Sequence, residues 1–505
     1  MAYSNINITF FNYNALYLQK KTFCISVYAV AECLFAILFN FQHCLFLNHL
    51  ALAKDQEPAK TEKSAEAGFE KKEEAADSGE KTVVTVWTQD RHDSEYVESK
   101  IEEFNNTNDK GIEIALNVIT DDYANMMSLA YSSGTAPDIA GVGAATSGFD
   151  LKTFAEAGIL EPLNEYIKDA EYEKVTEASK LQFEGINVID GNVYWIPTGM
   201  RSGTRIEYNK ELVEKAGYTE FPDTLEGVVE LADKITQQGE GTTYGVGFTQ
   251  SVPFERWLEG VAETSGIYRY DFKEGKFNFD GYKPLIETAS KFFTNNSVFP
   301  GSMSQGVDAM RAQFVEGTFG IWGNASQEAG VFTSQFPIDK FEWGVAEVPS
   351  LDGTRKGAQA IKPQKGYMMF SSCPHKDKAW EVIKFFSSEE FLKGYLEAGL
   401  YLPISDYMDG IIDKSKTGRL ADFALTDYES VYPAVPSVTL EGDPYGTVIW
   451  RAIMGDISAD EAIADLNKRY NEALENDIKI GKTKRIVIKD FDPLHPGEGT
   501  VEYTE

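Results

Sequence analysis

The feature that most constrains this chain is the order of short elements between Thr82 and Gly148. Thr82-Val-Val-Thr-Val-Trp87 is a β-branched run that ends in a polar loop, 88–93. Over 94–105 apolar residues recur at Val97, Ile101 and Phe104, the spacing of one helix face. Residues 112–119 alternate as a strand, 123–131 read as a helix, and Pro137-Asp138-Ile139 leads a third short strand into the small-residue loop 141–148. This alternation predicts an α/β lobe whose parallel sheet is joined by crossover helices. Ligands sit beyond the carboxyl ends of such strands, so loops 88–93 and 141–148 are expected to form a cleft wall.

A second set of elements follows Tyr208. A helix runs to Ala216, another spans 223–235, 244–248 is a strand and 254–265 a helix. Residues 283–295 and 306–316 read as helices, and 318–322 returns as a strand. With 505 residues the chain is too long for one ordinary core, so two α/β lobes are expected. Apolar residues make up 43%, which places the chain in the globular class. Its 47 basic and 79 acidic residues give a net charge of −32, which argues against a nucleic-acid partner, because phosphate binding needs clustered Lys and Arg.

Residues 1–53 read as a signal or leader segment. Lys20-Lys21 precede an apolar stretch that closes on Ala51-Leu52-Ala53, a small-x-small pattern. Glu32, Asn40, Gln42, His43 and His49 interrupt it, which makes a permanent membrane span the poorer reading. Residues 54–81 are charged, with Phe69 the one large apolar residue, and are expected to be a disordered tether. Cys24, Cys33 and Cys44 lie in the leader, and none follows the small residues that lipid attachment requires. Cys373 alone remains beyond it, so no internal disulfide is expected.

The stretch GNVYWIPTGMRSGTRIEYNKELVEKAG, 191–217, carries Gly-x-x-Tyr…Pro followed by Tyr-Asn-Lys and a Gly seven residues beyond. This order resembles the first inter-lobe crossover of extracellular solute-binding proteins of the maltose-binding type, the ligand receptors of ABC importers. LKTFAEAGILEPLNEYI (151–167), the segment 360–370, Tyr401-Leu-Pro403 and the helix 459–475 follow in the family's order. The resemblance covers 82–475. It implies a periplasmic-binding-protein-like fold with several hinge crossovers: an N-lobe from 82–200 and 358–403, and a C-lobe from 201–357 and 404–479. Residues 480–505 read as a strand and an acidic tail of no assigned function. The implied function is extracellular capture of a carbohydrate, an oligosaccharide or sugar derivative, by a monomer that closes about its hinge and delivers the ligand to membrane permease subunits. A polyamine, peptide or phosphorylated ligand on the same fold is the alternative, with a secreted carbohydrate-active enzyme behind it.

No Gly-x-Ser-x-Gly elbow, His-Glu-x-x-His or phosphate loop is present, so no catalytic residue, metal or cofactor is assigned. Sugars favour aromatic rings for their C–H faces and planar polar groups for their hydroxyls. By position in the resemblance, Gln89, Asp90 and Arg91 follow the first strand, with Gly143 in the third strand's loop. Arg201 stands in the hinge, where relatives carry an acid. Phe254 and Trp257 are expected as stacking rings, Trp322, Asn324 and Gln327 lie at a strand-to-loop crossing, and Asp443 and Tyr445 precede a late helix. Tyr194 and Trp195 alternate on an expected strand, which would turn one of them to the core.

Overall fold

The computed structural model describes residues 81–504 apart from 121, 145 and 147. The expected leader, and the tether apart from residue 81, lie outside the described residues. The β-branched run forms the strand Thr82–Thr88, which pairs in parallel with Ile112–Val118 from Thr82↔Ile112 to Thr88↔Val118. On its other side it pairs with Ile139–Val142, which in turn takes the antiparallel strand Gly366–Met369. Helices Ser94–Thr107 and Tyr123–Ser133 make the crossovers. This four-stranded sheet is the N-lobe's frame. Its apolar residues, Val84, Val86, Ile112 and Ile114 among them, are buried against Trp380, Ile383, Phe386 and Phe391.

The C-lobe is framed by a second four-stranded sheet. Arg205–Asn209 runs antiparallel to both Trp343–Glu347 and Phe319–Asn324, and Tyr244–Val246 pairs in parallel beyond. Helix Leu225–Gln238, capped by the Thr224 side chain on Gly227 N, lies against it. Helices Tyr445–Met454 and Ala459–Lys479 join the same core late in the chain, the second opened by a capping box between Ser458 and Glu461.

A three-stranded sheet lies between the lobes. Gln359–Gln364 pairs antiparallel with Gly199–Arg201 and in parallel with Glu429–Val431. Met200 also bridges Leu402. The chain therefore crosses between the lobes at three adjacent places, near 200, 365 and 402. The segment 360–370 forms two strands, because Lys365 adopts φ +56°, a left-handed conformation that ends the hinge pairing and redirects the next four residues into the N-lobe sheet.

Other expectations are corrected. The helix expected over 254–265 begins only at Leu258, since residues 253–257 form turns after Pro253 and Trp257 sits at φ −153°. Tyr194 and Trp195 do not alternate. The strand ends at Val193, and both side chains are buried in a cluster with Tyr123, Phe154 and Phe370. Residues 480–504 form a hairpin, Arg485–Val487 against Glu502–Thr504. Among the described residues no helix is long and apolar enough to cross a membrane.

Candidate functional site

The three crossings meet the carboxyl ends of Thr82–Thr88 and Ile139–Val142, and the polar side chains converge there. Loop 88–93 is fixed from below. Asp93 precedes helix Ser94–Thr107 but caps none of its N–H groups. Its carboxylate instead takes Lys365 Nζ at 2.5 Å and the Tyr395 hydroxyl at 2.6 Å. Lys365 and Asp93 are both almost fully buried, and the ammonium also lies 3.6 Å from Asp90. Burial pulls the Lys365 amine down, but Tyr367, Asp93 and Asp90 outweigh it and hold it well above its ordinary value. Burial pushes Asp93 up, and Lys365 and His92 outweigh it to hold the carboxyl low. The pair is thus ionised, and breaking it would strand a buried charge. The Lys365 carbonyl accepts from Thr198 N at 3.1 Å and from the Thr198 hydroxyl. One residue so ties the loop to two of the crossings. It acts as a positioning residue.

Above this pair stand exposed groups. Arg91 and His92 are exposed, and Asp90 is partly so. Arg201 donates to the Tyr401 hydroxyl at 3.2 Å and holds its guanidinium 5.3 Å from that ring's centre. The His92 ring meets Tyr401 edge-on at 5.4 Å. Desolvation on the side of the His92 ring that faces the protein lowers its pKa, with Arg201 and Lys365 adding to the effect and Asp90 and Asp93 opposing it, which favours the neutral imidazole. The second wall loop is bonded to the first: Thr146 Oγ1 accepts from Gln89 Nε2 at 3.1 Å and from Gly143 N at 3.0 Å. Gly143 serves close approach. A Cβ there would stand 2.1 Å from Gln364 Oε1, where the hinge strand passes.

The C-lobe wall differs from expectation. Phe254 and Trp257 are at most 1% exposed. Trp257 stacks on Phe248 at 5.8 Å and covers Gly323, where an added Cβ would sit 2.3 Å from the indole. Trp322 is equally enclosed, against Phe319. No ring face of these three is open to a ligand, because each fills the apolar space behind its sheet. Tyr445 is 8% exposed, and its hydroxyl is committed to Glu259 and Arg269. Asp443 is exposed, 3.5 Å from Arg451. Asn324 and Gln327 do come together: Asn324 Oδ1 accepts from Gln327 Nε2 at 2.7 Å and from Arg256 at 3.5 Å. Asn324 Nδ2 donates at 2.7 Å to Glu328, which Arg311 neutralises. Ser326 Oγ takes the N–H of Ser202 at the first crossing, which places this polar group beside the hinge.

Reading from residues alone missed Asp93, Lys365 and Tyr395, and it missed the acids within and just before helix Leu258–Thr264. There Glu263 accepts the hinge N–H of Ala360 at 2.9 Å, and burial together with Glu259 pushes its carboxyl up to about 8. Their spacing as Glu255, Glu259 and Glu263, every fourth residue, was a signal available in the sequence. Among the described residues no group of His, Cys, Asp and Glu is arranged to hold a metal ion.

Comparison with known proteins agrees with this architecture. The maltotriose-binding protein of Pyrococcus abyssi is 25% identical over 287 residues, 56% of this chain and 58% of its own length, so the alignment spans under two thirds of that relative. The sugar-binding protein MalE of Xanthomonas citri superposes with a TM-score of 0.60 at 20% identity, over 79% of this chain and 99% of that one. The apo form of RafE from Streptococcus pneumoniae gives 0.61 at 17% identity, over 79% and 99%. Residues 89–393 match the bacterial extracellular solute-binding protein family. That match covers more than half of the chain, and this chain belongs to the bacterial extracellular solute-binding proteins.

Proposed function

We propose that this chain is the extracellular receptor of an ABC importer, a monomer held near the outer face of the cytoplasmic membrane that binds an oligosaccharide or sugar derivative and passes it to the permease subunits. The observation that carries the reading is the convergence of Asp90, His92, Arg201 and Tyr401 at the hinge. Planar charged groups and an imidazole exchange hydrogen bonds with vicinal hydroxyls, and the buried Tyr401 ring backs the Arg201 guanidinium and the His92 ring. Arg256, Asn324 and Gln327 supply hydrogen-bonding groups from the opposite lobe. A ligand that bridges both sets gains contacts only in the closed form, which is what drives closure. Relatives support the sugar class: one is a maltotriose-binding protein, and a RafE structure holds raffinose.

The test is thermal unfolding against maltotriose, raffinose, xylo-oligosaccharides and acidic oligosaccharides, with spermidine and a tripeptide as controls. A ligand at a hundred times its Kd adds about 2.7 kcal/mol. A shift with one saccharide, lost in Arg201→Ala, is the expected result. A shift with spermidine or peptide alone would sink the sugar assignment, and turnover of a chromogenic glycoside would sink the receptor reading.

A further inference from the structure

Residues 482–504 lie beyond the segment that matches the family and make a set of contacts with no counterpart in the three crossings. They are anchored in the C-lobe. Ile486, Ile488 and Phe491 are buried with Tyr270, Phe272 and Phe277, Ile488 N donates to Phe272 O at 2.7 Å, and Tyr270 OH donates to Ile486 O at 2.9 Å. From that anchor the chain passes over the hinge. Pro493 O accepts from Ala358 N, the residue before the hinge strand, at 2.8 Å, and from the Tyr268 hydroxyl at 3.3 Å. Gly497 lies against the outer hinge strand, where an added Cβ would stand 3.1 Å from Val431 O. The hairpin then returns, with Lys489 paired to Glu502 at 2.9 Å, and carries Tyr503 within electrostatic reach of Glu184 and Asp190 in the N-lobe. Partial burial, then those two carboxylates, push the Tyr503 phenol up to about 12. A second contact joins the lobes nearby, where Lys152 Nζ on an N-lobe helix donates to Lys482 O at 3.1 Å.

We propose that residues 482–504 are a strap that joins the two lobes by a fourth, non-covalent path and restrains their opening. The geometry separates this from a simple stability cap on the C-lobe. A cap needs only Ile486, Ile488 and Phe491, whereas the contacts at Ala358, Val431 and Lys152 lie on the hinge or on the other lobe. Strap contacts would be kept when the lobes are close and stretched or lost when they swing apart, so their removal should raise the open population.

The experiment reads the distance between lobes directly and needs no ligand. Nitroxide labels are placed on the full chain at Ser132→Cys in the N-lobe and Gln237→Cys in the C-lobe, both exposed. C24S, C33S and C44S are present throughout, and Cys373 is buried. Pulsed electron spin resonance then compares the intact chain with one ending at Phe491, and with the double variant Lys152→Ala/Tyr503→Ala. The expected result is a broader distribution displaced to longer distance in both. An unchanged distribution in both, even with a lower Tm, would overturn the strap and leave a cap. Should the shortened chain fail to fold, the double variant decides alone, because it keeps Ile486, Ile488 and Phe491 in place.

Discussion

On the N-lobe side the proposed cleft is edged by polar side chains on loops, held from beneath by the buried Lys365–Asp93 pair. On the C-lobe side it is edged by amide and guanidinium tips, while the large rings of that region are enclosed behind the sheet. The first wall obtains its order from one salt bridge with its hydrogen bonds, the second from close-packed aromatic volume. The two should therefore fail differently: a substitution beneath the N-lobe wall should respond to pH, and one behind the C-lobe wall should not.

The largest effect should come from Trp257→Ala. Emptying that site removes an indole packed on Phe248 and Phe292, and chemical denaturation should show a loss of about 3–5 kcal/mol at every pH tested. If ligand affinity fell instead with stability intact, the ring would belong to the cleft and the contrast would break. Lys365→Met should cost about 3 kcal/mol at pH 7, because Asp93 is left buried without its cation. The Asp93 carboxyl is held low in the folded chain, so its stabilisation is present above the unfolded pKa of about 3.9 and is lost as pH falls through the folded value. The penalty of Lys365→Met should accordingly shrink in acid, and a penalty flat from pH 7 to 3 would remove the distinction between the walls.

Glu263→Gln sharpens the comparison at the hinge. Glu263 ionises at about 8 in the folded chain and at about 4.3 when unfolded. Across that window the unfolded state sheds the proton first, so the wild type loses stability as pH rises from about 4.5 to 8. The amide keeps an acceptor for Ala360 N and should flatten this slope in denaturation curves; a slope unchanged by the substitution would show that Glu263 is not its source. Smallest of all is Asp443→Ala. An exposed carboxylate 3.5 Å from Arg451 should change stability by no more than about 0.5 kcal/mol.

Much of the fold was legible because its signals are local. The β-branched run at 82–88, the helical spacing of Val97, Ile101 and Phe104, and the Tyr208-Asn209-Lys210 turn each declare themselves within a dozen residues. The site was less legible because its key contacts join distant residues. Lys365 reaches Asp93 across 272 positions, and its left-handed backbone is one that Gly or Asn would have advertised and Lys does not. The aromatic assignments went astray for another reason. Trp257 and Trp322 occur where a ligand-facing ring was sought, but a Trp beside a four-stranded sheet is an equally good core residue, and only the packing, of Trp257 on Gly323 and of Trp322 on Phe319, decides between them. Asn324 and Gln327, three positions apart, bond to each other as neighbours on one turn can.

The shared hydroxyl of Thr146, bonded at once to Gln89 and to Gly143, has a consequence for discrimination among ligands. It welds two loops from different strands into one preorganised plate before anything arrives. A partner that fits the plate loses little free energy to ordering it, whereas a near miss finds no slack with which to adapt. Such a receptor should show a steep affinity ladder, with one or two tight binders and a sharp fall beyond them. Thr146→Gly should level that ladder, weakening the best ligand while leaving the poorest where they were.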